Sequence, residues 1–78
     1  MGNHRPIPTK CWEAYLTSLG CAYNSIKASH HKWKCPGAHR SIIFRGAEKE
    51  IPFAHIVTNL QTLGIEKKDF LEWVAANC

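Results

Sequence analysis

His30 and His31 stand side by side among Lys27, Lys32 and Lys34, directly after the small pair Ala28-Ser29. Imidazole has an unperturbed pKa of about 6.5, so it takes up and releases protons near neutral pH. Neighbouring lysines attract phosphate and favour the neutral, basic form of the ring. The segment therefore holds the parts for acid–base chemistry on a polyanion. Strand residues alternate sides, which puts His30, Lys32 and Lys34 on one face and His31, Trp33 and Cys35 on the other. The large aromatic and the cysteine mark the side that packs on a core; the lysines mark the solvent side. His30 is accordingly the candidate catalytic residue. His31 is the alternate, because a one-residue bulge exchanges the two faces.

Other residues extend this surface. Ser29 can position a phosphate through its hydroxyl, Lys27 adds charge from the preceding strand, and Arg40 and Arg45 add it from the following one. His39 and His55 stand alone and read as surface or packing residues. A metal reading is also open, since His30, His31, Cys35 and His39 fall within ten residues, although their spacing matches no standard zinc-finger pattern. No carboxylate cluster is present to hold magnesium, so the expected chemistry uses neither metal nor cofactor.

The elements that must position these groups follow from periodicity. Residues 1–8 read as an extended lead-in, since in Arg5 to Pro8 each proline pushes the residue before it out of the helical region. Residues 9–78 form the single domain. Thr9 is the expected N-cap of a first helix, with Glu13 in its first turn. Trp12, Tyr15, Leu16 and Leu19 recur at helical spacing, and Gly20 closes the helix. Cys21 to Ala28, Ser29 to Cys35 and His39 to Arg45 read as three antiparallel strands. Cys21, Tyr23 and Ile26 lean inward in the first, with imperfect alternation, and Pro36-Gly37 makes a turn. Pro52 opens a second helix carrying Phe53, Ile56, Val57 and Leu60 on one face, stopped by Gly64. A last helix carries Phe70, Trp73 and Val74, with Glu66 and Asp69 near its N-terminus. The fold class is α+β in the order α-β-β-β-α plus a C-terminal helix. The helices should cover one face of a three-stranded sheet and leave the other open.

Composition bounds the rest. The chain has 78 residues and a net charge of +4, enough for one small core and suited to a polyanionic partner. No apolar run reaches the roughly 18 residues of a membrane span. Met1 to Pro6 carries no apolar signal region, and Pro6 stands where a myristoylation signal needs Ser or Thr. A cytoplasmic protein is expected, with Cys11, Cys21, Cys35 and Cys78 as buried free thiols, since none forms a C-x-x-C pair.

Ala28-Ser29-His30, the turn Pro36-Gly37, the strand Ser41-Ile42-Ile43-Phe44 and Leu63-Gly64-Ile65 occur in an order that resembles the HicA-type toxins of bacterial toxin–antitoxin pairs. The likeness runs from Thr9 to Ile65. Ala28 replaces the usual glycine, and the segment after Ile65 is longer than in compact members. The resemblance implies a double-stranded-RNA-binding-like fold and an mRNA interferase that cleaves RNA with one histidine. By motif position that residue is His30, or His31 where the histidine falls one place later. It also implies RNA as substrate and a HicB-type antitoxin as partner. Two other readings of the residues remain: a non-catalytic RNA-binding module of the same fold, and a small interaction protein that docks through its C-terminal helix.

Overall fold

The computed structural model describes residues 5–27 and 30–78, with Lys27 described through its backbone only. In chain order the elements are β1 (Ile7–Pro8), α1 (Thr9–Ser18), β2 (Ala22–Lys27), β3 (His30–Lys34), β4 (Ile42–Arg45), β5 (Glu50–Ile51), α2 (Phe53–Leu63) and α3 (Lys67–Asn77). β2, β3 and β4 form an antiparallel three-stranded meander in that order. The layout is the expected α+β one, with a short β1–β5 ribbon added.

The apolar stripes build the core. Trp12 and Leu16 of α1, Ile42 and Phe44 of β4, Ile56 and Leu60 of α2, and Phe70 of α3 are all buried. α3 docks on α1 through rings: Phe70 meets Trp12 edge-on at 5.4 Å and Tyr15 at 4.8 Å, and Trp73 meets Tyr15 at 5.1 Å. Such edge contacts suit the ring quadrupole. Burial and then Asp69 push the Tyr15 phenol above its usual range, so it stays neutral in this cluster. α1 and α2 end alike. Cys21 N–H bonds to the Leu16 carbonyl after Gly20, and Ile65 N–H to the Leu60 carbonyl after Gly64. Both glycines adopt positive φ, which is open to them without a Cβ clash.

Several details depart from the sequence expectation. Thr9 is the first residue of α1 rather than its cap, which is Pro8. Its hydroxyl donates to the Glu48 carbonyl at 2.5 Å and its N–H to the Lys49 carbonyl at 2.8 Å, so both donors are spent on the 46–49 loop. Glu13 falls beyond the first turn of α1, whose opening turn holds no acid. The lead-in is extended but also structural, because Ile7 is buried and pairs with Ile51. The third strand is shorter than expected and begins at Ile42. The imperfect alternation of β2 has a cause: the register shifts between Tyr23 and Ser25, leaving Asn24 as an extra residue. Tyr23 then pairs with Trp33, and Ile26 with His31, but on the edge strand both stay exposed, at 48% and 56%, rather than turning inward as the sequence suggests.

The cysteines are not free thiols. Cys11 is bonded to Cys78 and Cys21 to Cys35. The first bond joins the start of α1 to the chain end beyond α3. The second continues the β2–β3 ladder one step past the Ala22–Lys34 pair. It also takes the Cys35 sulfur out of any metal-ligand set. No helix among the described residues is long and apolar enough to cross a membrane.

Loop closure sets what each disulfide contributes. Cys11 and Cys78 are separated by 67 positions and Cys21 and Cys35 by 14, which corresponds to about 4 and about 3 kcal/mol in the chain-entropy account. The paired Cys11→Ser, Cys78→Ser variant should therefore lose more in Tm than the paired Cys21→Ser, Cys35→Ser variant. Calorimetry of both under oxidising conditions measures this, and the reverse order would show that loop length does not govern their effect.

Candidate active site

β3 is the central strand, so its residues from His30 to Trp33 sit between partners on both sides. Register places His30 across from Lys27 on one side and Arg45 on the other, and Lys32 across from Ser25 and Ile43. Directly opposed residues point to the same face. His30, Lys32, Ile43 and Arg45 thus share the open face of the sheet. His30, Lys34 and Arg45 are exposed, and Lys32 is half-buried. Ile43 is 44% exposed and supplies an apolar surface among these cations.

His30 also lines a cavity of about 340 Å³ beside β4, together with Ile43, Arg45, Glu48, Glu50 and His55. The position of α2 against β4 is pinned by the buried Asn59, whose side-chain amide donates to the Ile43 carbonyl at 3.2 Å. His55 precedes Asn59 by one helical turn and so lies on the same side of α2.

His31 lies on the helix side. Its ring is 5.9 Å from that of Phe44 and 5.8 Å from that of Tyr23. Its Nδ1 is buried without a hydrogen-bond partner, 3.8 Å from Glu13 Oε2. Gly46 makes room for the ring, because a Cβ built there would strike His31 Nδ1. The two histidines are therefore divided: one is presented to solvent with cations, and the other packs against aromatic rings and a bare backbone.

The remaining basic residues do not form one patch with His30. Lys34 lies four residues along β3, about 13 Å at strand rise. With His39 and Arg40 it lines a separate groove of about 170 Å³. Arg40 and His39 also line a groove with Thr58, Gln61 and Thr62 on α2, and neither touches the His30 cavity. Ser29 falls outside the described residues, and for Lys27 the register position alone is fixed. Among the described residues no group of three His, Cys, Asp or Glu side chains converges as a metal site. His55, read from the sequence as a surface or packing residue, is exposed and lines the same cavity as His30. Its i, i+4 spacing to Asn59 was the only local signal, and it has meaning only once Asn59 is known to be buried.

In comparisons with family models, curated proteins and solved structures, the chain matches none.

The contact between Gly46 and His31 can be tested by a double-mutant cycle. Gly46→Ala should cost about 1–3 kcal/mol, the usual range for overpacking. In a His31→Ala background the same change should cost much less, because the ring it strikes is gone. Unfolding midpoints of the four proteins measure the coupling, and additive losses would mean that the ring is not what Gly46 accommodates.

Proposed function

We propose that the protein is a metal-independent endoribonuclease of the mRNA-interferase kind, with His30 as its base. The observation that carries this reading is the place of His30: exposed on the open sheet face, opposite Arg45, beside Lys32, at the wall of a cavity. RNA brings its own nucleophile. His30 takes the proton of a 2′-hydroxyl as the 2′-oxygen attacks the adjacent phosphorus. The bond from phosphorus to the 5′-oxygen breaks, leaving a cyclic phosphate and a 5′-hydroxyl. Acid–base help of this kind contributes about 10²–10⁴-fold. Arg45 and Lys32 stabilise the charge that builds on the phosphate oxygens. Phosphate binding alone needs no titrating group, and this favours catalysis over a passive RNA-binding module of the same fold.

The resemblance to HicA-type toxins supports the same reading and adds a HicB-type antitoxin. A protein of net charge +4 with its basic face open suits an acidic partner that covers His30, with charge steering to speed the encounter. The reading places the protein in the cytoplasm, where mRNA is. Disulfides there are rare, because glutathione and thioredoxin keep thiols reduced. The Cys11–Cys78 and Cys21–Cys35 bonds of the structure therefore run against that placement.

The central test pairs two variants. His30→Ala should abolish RNA cleavage and growth arrest while shifting stability by no more than about 0.5 kcal/mol, as is usual for exposed sites. His31→Ala should lower the unfolding midpoint and retain cleavage in its folded fraction, and wild-type cleavage should persist in excess EDTA. An active His30→Ala protein beside a folded but inactive His31→Ala protein would move the base to His31. Loss of cleavage in EDTA with recovery on adding a metal would overturn the metal-free step.

RNA affinity supplies a second check. If Lys32 and Arg45 contact phosphates, affinity should fall steeply with salt, and each substitution to Ala should flatten the log–log slope by roughly 1. Arg40→Ala, on the far groove, should change the slope less than Arg45→Ala. An affinity independent of salt would favour an interaction protein that does not bind RNA.

A further inference from the structure

Cleavage of a phosphodiester needs two proton transfers, and His30 accounts for one. The 5′-oxygen leaves as an alkoxide, a strong base, unless a proton reaches it as the bond breaks. The cavity lined by His30 is also lined by a second imidazole, that of His55, and by Arg45: a cation for the phosphate and two groups for protons on one wall. His30 comes from β3 and His55 from the first turn of α2, so two different elements present them to one space. That space, about 340 Å³, is at the lower end of small-ligand pockets. The Asn59 bond to the Ile43 carbonyl keeps α2 in place against β4, so His55 is held by the scaffold and does not depend on a loop.

We propose that His55 is the general acid of this site, protonating the 5′-oxygen while His30 deprotonates the 2′-hydroxyl. The inference rests on the ribonuclease reading above. In the step, the 2′-O–H proton passes to neutral His30, the new bond forms between phosphorus and the 2′-oxygen, and the bond from phosphorus to the 5′-oxygen breaks. The proton of the His55 imidazolium goes to the departing 5′-oxygen. The products are a 2′,3′-cyclic phosphate and a 5′-hydroxyl, with His30 protonated and His55 neutral. Exchange with water restores both, so neither electrons nor protons are left over. The other charged groups facing His55 in the cavity are Arg45 on β4, Glu48 in the loop and Glu50 on β5. The rate must fall at low pH, where the base is protonated, and at high pH, where the acid has lost its proton, which gives a bell-shaped profile.

The leaving group separates an acid from a residue that only shapes the site. An RNA whose 5′-bridging oxygen is replaced by sulfur leaves as a thiolate, which needs no protonation. His55→Ala should cleave ordinary RNA about 10²-fold or more slower than wild type, lose the high-pH limb of the profile, and cleave the sulfur-bridged RNA at close to the wild-type rate. His55→Gln, which keeps a polar side chain and the fold, should behave the same way. His30→Ala should be slow on both substrates. A His55→Ala protein that cleaves ordinary RNA as fast as wild type, or is equally slow on both substrates, would overturn the assignment of His55 and leave His30 untouched. A wild-type protein that cleaves neither substrate would overturn the ribonuclease reading and this one with it.

Discussion

The packing of β3 against the helix layer is the constraint on which the rest depends. Trp33 is partly buried against the core, and His31 is wedged between Phe44, Tyr23 and the bare backbone of Gly46. Neither ring can be turned outward without leaving a void and exposing apolar surface. Because side chains alternate, seating these two forces His30, Lys32 and Lys34 to the opposite face. The basic face is thus a consequence of the core. The bulge at Asn24 shows how closely register is controlled: it lies on the edge strand β2 and leaves the faces of β3 unchanged.

Around this strand the fold is tied at points far apart in the chain. The β1–β5 ribbon and the two bonds from Thr9 fasten the start of α1 to the loop that carries Gly46 and Glu48. That loop makes room for His31 on one side of the sheet and contributes Glu48 to the His30 cavity on the other. The same few residues therefore serve packing and the candidate site together. At the opposite end, the aromatic cluster of Trp12, Tyr15, Phe70 and Trp73 seats α3 on α1. The C-terminal helix is part of the core of this domain through the buried Phe70.

Charge is distributed as the proposed chemistry would use it. The cations nearest to His30 are those its register fixes, and the Lys34–Arg40 groove lies at the far end of the strand. Sheet geometry thus divides the basic residues between the His30 cavity and a separate groove. Glu48 and Glu50 at the same cavity wall add negative charge beside the imidazoles.

The amino-acid sequence by itself determined the elements and the facing of β3. Helical spacing from Trp12 to Leu19 and from Phe53 to Leu60, the stops at Gly20 and Gly64, and the alternation of His30, Lys32 and Lys34 are local patterns, set by backbone periodicity. What the tertiary structure alone decided is contact between residues distant in the chain. Pairing of Cys11 with Cys78 and Cys21 with Cys35, the ribbon of Ile7 with Ile51, the diversion of Thr9 from capping to the 46–49 loop, and the lining of one cavity by both His30 and His55 have no local signature. Two-residue strands are too short to show a period, a cysteine looks the same bonded or free, and a surface histidine on a helix becomes part of a site only when that helix packs beside the right strand. Such contacts depend on how the layers close over one another, and closure is set by the whole core at once.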